Sequence, residues 1–188
     1  MTVQKQANLQ GQDFSGKFGV LSAGRDNDDQ LVGQSSNGLC LKNKCEFNLT
    51  KIVTVTSAQL LALFTTPVTV VPAPGAGFAV VVNRVVCRTV AGTAYAGLAA
   101  GEDLVLAYTN ASGPQVSSVI ETTGFLDQVT AQSRYANGQA SNGATAGDIT
   151  LVDNAAVVIK LLVGNITTGT SPLYVLVDYN IIPTDFTV

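Results

Sequence analysis

The sequence predicts an all-β protein, an antiparallel sandwich or barrel with one short helix and an extended N-terminal arm. Three observations carry this reading. From Ile52 onward the chain is a succession of short runs rich in Val, Thr, Ile and Leu, residue types that mostly suit a pleated, half-buried surface. Clusters of Gly, Pro, Asn and Ser interrupt those runs at short intervals, and such clusters end strands and forbid helices. Only one stretch combines helical spacing with a cap. Many short strands, glycine-rich connections and almost no helix place a chain among sandwiches and barrels.

Charge divides the chain. Residues 1–51 carry nearly half of the charged residues and little sustained periodicity, whereas the remainder is apolar and Val/Thr-rich. Residues 1–51 therefore read as an N-terminal arm with short strands, and 52–188 as the β-sandwich domain. Within the arm, 1–36 is extended or loosely structured, with short strands at Phe18–Leu21 and Leu39–Thr50. Thr56 or Ser57 then caps a helix over Ala58–Phe64, which Thr65-Thr66-Pro67 ends because a residue preceding proline is pushed out of the α region. Leu60, Leu61 and Phe64 form its apolar face, placed to close the end of a sheet.

The remaining elements follow in order. Val68–Val71 is a strand, and Pro72-Ala-Pro-Gly-Ala-Gly77 is a hairpin turn. Phe78–Val90 is a long strand whose two faces are both apolar at first, with Arg84 and Arg88 appearing on one face later. That pattern fits burial on both sides at one end and solvent on one side at the other. Further strands are expected at Leu104–Thr109, Val116–Glu121, Asp148–Val152, Ala155–Val163 and Leu173–Ile182. Residues 134–147 are small and polar and read as an exposed loop. No internal repeat is evident, which disfavours a propeller or solenoid.

Composition narrows the function. Charged residues make up 12% of the chain, against roughly 25% in ordinary domains. Interspersed charge is what keeps a small domain solitary, so this surface is expected to be covered by partners. The net charge is −3. After Lys51 the only basic residues are Arg84, Arg88, Arg134 and Lys160, and no basic run exists to neutralise phosphates; nucleic acid is not an expected partner. Pro67–Val82, the longest apolar stretch, is interrupted by prolines and glycines and is too short to span a bilayer. The opening Met1-Thr-Val-Gln-Lys-Gln-Ala-Asn has no apolar core of a secretory signal, so synthesis in a cytoplasm is expected, and three sequons at Asn48, Asn110 and Asn165 carry no weight. Cys40, Cys45 and Cys87 are odd in number and read as free thiols.

The chain contains no histidine. This removes the side chain most used for proton transfer near neutrality and the commonest transition-metal ligand, and it excludes Ser-His-Asp and Cys-His arrangements. No enzyme is expected, and no catalytic, cofactor or metal residue is assigned. Each weaker candidate has a plainer reading beside it. Glu102, Asp103, Glu121, Asp127, Asp148 and Asp153 could supply a glycosidase pair, but most fall at turns and the chain lacks tryptophan. Asp26-Asn-Asp-Asp resembles the start of a calcium loop but has Leu31 and Asn37 where glycine and glutamate are needed; an acidic surface turn is favoured. Cys40 and Cys45 could begin a zinc site or close a small loop, but packing is the simpler role. Gly75-Ala-Gly77 precedes a strand, not a helix, and so is a turn rather than a phosphate cradle.

Ser57-Ala-Gln-Leu-Leu-Ala-Leu, Thr66-Pro-Val-Thr-Val-Val-Pro-Ala-Pro-Gly-Ala-Gly, Val80-Val-Val-Asn-Arg-Val-Val, Gly92-Thr-Ala-Tyr-Ala-Gly, Asp103-Leu-Val-Leu-Ala-Tyr and Val116-Ser-Ser-Val-Ile-Glu follow one another along the chain. In that order they resemble a β-sandwich module of virion proteins from tailed bacteriophages. Gly124-Phe-Leu-Asp, Asn154-Ala-Ala-Val-Val-Ile and Gly169-Thr-Ser-Pro-Leu-Tyr-Val-Leu-Val-Asp-Tyr are similar to its later strands. The resemblance covers about 57–182 and leaves the arm unmatched. It implies a jelly-roll-like sandwich, a homotrimer, and a place in the virion. The expected role is a capsid decoration (cement) protein bound to the major capsid protein. The alternative is a head- or tail-fibre component recognising a host glycan, for which Tyr95 and Tyr135 are the expected loop aromatics.

Overall fold

The computed structural model describes residues 31–35, 38–41, 49–98, 101–138 and 150–185. The chain forms two compact units, Met1–Phe47 and Asn48–Val188. In the first, β1 (Leu31–Ser35) pairs antiparallel with β2 (Gly38–Leu41). The expected strand at Phe18–Leu21 and the calcium-like segment at Asp26 lie outside the described residues.

The second unit is an all-β sandwich. It contains β3 (Leu49–Val55), the helix α1 (Ser57–Leu61), β4 (Val68–Val71), β5 (Phe78–Thr89), β6 (Leu104–Tyr108), β7 (Ser133–Asn137), β8 (Val157–Leu161) and β9 (Leu173–Pro183). One antiparallel sheet has the order β3-β9-β5-β7, the other β4-β8-β6. Strands β3 to β9 thus alternate strictly between the two sheets, and each connection crosses the core. The predicted hairpin at Pro72–Gly77 is therefore an arch: β4 pairs with β8, and β5 with β9 and β7. Its geometry is held from outside the turn, since the amides of Gly75 and Gly77 donate to Asn154 Oδ1 (2.9 Å) and Asp153 Oδ1 (2.7 Å).

The core lies between the sheets. Val55, Val80, Val82, Val85, Cys87, Leu173, Val175 and Val177 face Val70, Val71, Leu104, Leu106, Tyr108, Val157, Ile159 and Leu161. The Tyr108 hydroxyl spans the layers and donates to the Val80 carbonyl. One region is closed by loops that bury Tyr95, Phe125, Leu126 and Ile166, with backbone bonds Gly92 N to Val129 O (3.1 Å) and Tyr95 N to Leu126 O (2.9 Å).

Helix α1 is a single capped turn. Thr56 is its N-cap, and a reciprocal capping box joins Gln59 N to Thr56 Oγ1 (3.2 Å) and Thr56 N to Gln59 Oε1 (2.9 Å). Its buried face is Leu60, with Leu63 just beyond the last turn, while Phe64, expected to share that face, is 38% exposed. Beyond Leu61 the chain tightens into turns, and the Phe64 amide donates to Asn165 Oδ1 (3.2 Å).

The first part of β5 is buried on both faces, as its apolar pattern predicts: adjacent Ala79 and Val80 are both fully buried and Val81 is half-buried, while Arg84 and Arg88 farther along are exposed. A bulge at Asn83, where Val82 pairs with Tyr179 but Arg84 pairs with Asp178, inserts one residue. A one-residue slip exchanges the faces. Before the bulge Val80 and Val82 point inward; after it Val85, Cys87 and Thr89 do. Elsewhere Val116–Glu121 is no continuous strand but makes isolated bridges, Ile120 to Leu104 of β6 and Ser117 to Gly138, with Gln115 just before it bridging to Ala107. Residues 150–152 are not a strand. Strand β7 occupies Ser133–Asn137, where the sequence reading began an exposed loop.

Candidate functional site

Register places three complete rows of side chains on the outer face of the four-stranded sheet. Ile52 pairs with Leu176, Leu176 with Val86, and Val86 with Tyr135. This middle row runs across β3, β9, β5 and β7 and is apolar throughout. Its ends are open to solvent, Ile52 at 65% and Tyr135 at 72% exposure. On one side lies the row Thr50, Asp178, Arg84 and Asn137; on the other, Thr54, Tyr174, Arg88 and Ser133. Outward placement follows from the alternation along β3 and β9, whose odd-numbered neighbours Val55, Val175 and Val177 are buried.

The first flanking row is tied by polar contacts. Arg84 Nη2 lies 2.7 Å from Asp178 Oδ2, and Arg84 Nε donates to the same oxygen at 2.9 Å. Thr50 Oγ1 donates to Asp178 Oδ1 at 2.7 Å. The guanidinium remains largely open, with 57% of its side chain exposed against 15% for Asp178, so it keeps donors for a further acceptor. An exposed apolar row bordered by fixed polar groups has the anatomy of a contact surface.

The carboxylates singled out from sequence do not converge on a cleft. Asp103 and Glu121 come side by side. Burial, with the Glu121 carboxylate as a smaller contributor, pushes Asp103 up from the ordinary carboxylate range, against a hydrogen bond from Thr122 N to its Oδ1 (3.1 Å). Glu121 Oε1 accepts from Thr123 N (3.3 Å). Glu102 is buried, and its carbonyl accepts from Thr122 Oγ1 (2.9 Å). Asp127 is lowered chiefly by the hydrogen bond from Gln128. Asp153 serves the arch described above, and Asp148 lies outside the described residues. Among the described residues no three Cys, Asp or Glu side chains gather to hold a metal, and no helix is long and apolar enough to cross a membrane.

Of the cysteines, Cys87 is buried in the core with its thiol pushed up to about 12 by desolvation. Cys40 falls in β2 and Cys45 outside the described residues. The two tyrosines proposed as loop aromatics part company. Tyr95 is buried at 3% exposure and its hydroxyl donates to Ser171 O (2.5 Å), so it is a core residue; Tyr135 is the exposed end of the apolar row. An open groove of about 430 Å³ between α1 and β4 is lined by Ala58, Gln59, Ala62, Thr66, Pro67, Val68 and Thr69, without a charged side chain.

Sequence reasoning did not find the three rows. The alternation in β9 was visible, but which residue of β3, β5 or β7 stands beside Leu176 depends on register and on the Asn83 bulge. No family model, curated protein or solved structure matches the chain.

Proposed function

We propose that this chain is a structural virion protein of the capsid-decoration kind, whose work is to add contact area to a phage shell. The observation that carries the reading is the apolar row Ile52–Leu176–Val86–Tyr135 on the outer face of the sheet, open at both ends and half-buried between them. A surface this poor in charge, 12% over the whole chain, favours association. The separate N-terminal unit, Met1–Phe47, supplies a second region for attachment to the major capsid protein. The protein acts as a homo-oligomer at the capsid surface, without a cofactor. The resemblance of segments within 57–182 to phage virion sandwiches adds the virion setting.

The test is to compare purified heads with and without the protein. Heads that carry it should withstand higher temperature before releasing DNA; equal resistance, or its absence from purified heads, refutes the reading. A fibre role recognising glycans is favoured by one observation, the exposed ring of Tyr135. Binding to a glycan array that Tyr135→Ala abolishes would move the assignment there.

A further inference from the structure

We infer that the outer face of the β3-β9-β5-β7 sheet is a self-complementary interface that takes a second copy of the same face across a two-fold axis parallel to the strands. The inference deepens the reading of this face as a contact surface and names its partner; it requires nothing about the shell.

A two-fold axis running between β9 and β5 sets β9 of one copy over β5 of the other, and β3 over β7. Leu176 then meets Val86 of the second copy, and Ile52 meets its Tyr135, so the apolar row covers itself. In one flanking row Asp178 meets Arg84 of the second copy and Arg84 meets its Asp178. The existing ion pair, 2.7 Å within one copy, becomes an alternating four-charge cluster that uses the open side of Arg84. In the other flanking row Tyr174 meets Arg88, an arrangement suited to cation–π contact. The axis perpendicular to the strands fails this test: it places Arg84 over Arg88 and Asp178 over Tyr174, a like-charge contact with no compensation. Only the first arrangement is complementary in all three rows, as an isologous contact requires. Packed sheets cross at about 30°, which keeps the central row in register and leaves the long Arg84 and Arg88 side chains within reach.

The size of the patch sets its strength. Strands about 4.8 Å apart and outward residues about 6.8 Å apart along each strand give the three rows about 400 Å² per copy, or about 800 Å² in all. Stable complexes bury about 1,200–2,000 Å². The contact is therefore weak and reversible when free, and becomes populated at high concentration or when copies are already held close together.

The experiment uses the full chain and two charge variants, Asp178→Arg and Arg84→Asp, each checked for folding by circular dichroism. Sedimentation velocity on the wild type should show a mass that doubles reversibly between about micromolar and about millimolar protein. Each variant alone should fail to associate, since it places two like charges at both crossing points. An equimolar mixture should associate at least as well as the wild type, because every crossing then pairs opposite charges. Ile52→Lys should abolish association without touching the ion pair. Wild type that shows no association at any concentration, a mixture that stays apart, or an association indifferent to Ile52→Lys overturns the inference. Binding of the non-associating variants to purified heads separates the two conclusions: if they still bind, the decoration role stands whatever becomes of this interface.

Discussion

Gly138 is where a single residue shows how tightly the sandwich is set. Its amide donates to Asn83 O at 2.9 Å, and a Cβ built on it would lie 1.8 Å from the Val82 carbonyl oxygen. The bulge in β5 and the end of β7 therefore fit only if this position has no side chain, and Gly138→Ala should cost about 2 kcal/mol or more, read from urea melts. A loss near zero would mean that the bulge shifts freely. Gly169 is a second such place, with φ +94° and its Cα against the Tyr95 ring, which a Cβ would approach to 2.3 Å. Ser171 points the other way. Its hydroxyl is buried without a partner, so Ser171→Ala should be neutral or stabilising by chemical denaturation, since an unmet polar group costs more than its absence. None of these contacts could be read from the sequence: Gly138 sits in what looks like a polar loop, and the strand it packs on lies more than fifty positions away.

Local and distant signals separate clearly at the scale of elements. The cap of α1 was legible as Thr56 or Ser57, and the structure gives it to Thr56, which forms a reciprocal box with Gln59 three residues on. Thr56→Ala should cost about 1 kcal/mol, and Gln59→Ala less, as seen in thermal melts; no effect from Thr56→Ala would mean that Leu60 and Leu63 alone hold the turn. Strands β4 and β9 were legible from their apolar content and flanking turns. Strand β7 was not. Its residues, Ser-Arg-Tyr-Ala-Asn, have little strand preference, and they are held by pairing with β5 and by Arg134, which stacks over Phe125 at 5.6 Å and donates to Gly124 O at 2.6 Å. Whether a turn returns the chain to the same sheet or sends it across the core is equally invisible locally. That is why Pro72–Gly77 read as a hairpin and proved to be an arch. The outer contact face failed to appear for the same reason, because its rows are assembled from strands as distant as Ile52 and Leu176.

For the molecule as a whole, alternation of successive strands between sheets means that most contacts are remote in sequence, and the buried ionisable groups sit where those remote parts meet. Tyr108 joins the two sheets and Tyr95 joins the closing loops. Burial raises both phenols to about 12, and it raises Cys87 to about 12 as well. These groups are neutral when protonated, so the sign of their effect is fixed. Above about pH 9–10 the unfolded chain begins to lose these protons while the folded chain keeps them. The unfolded state then binds fewer protons, and stability must fall as pH rises. The contribution is fully present below the ordinary thiol and phenol values and is lost progressively toward pH about 12. Urea midpoints measured through this range should decline, and Tyr108→Phe combined with Tyr95→Phe should lower stability at neutral pH yet flatten the alkaline decline. An unchanged alkaline slope in the double variant would show that the phenols are not the groups whose burial the fold depends on, and would shift the effect to Cys87, which Cys87→Ala would then isolate.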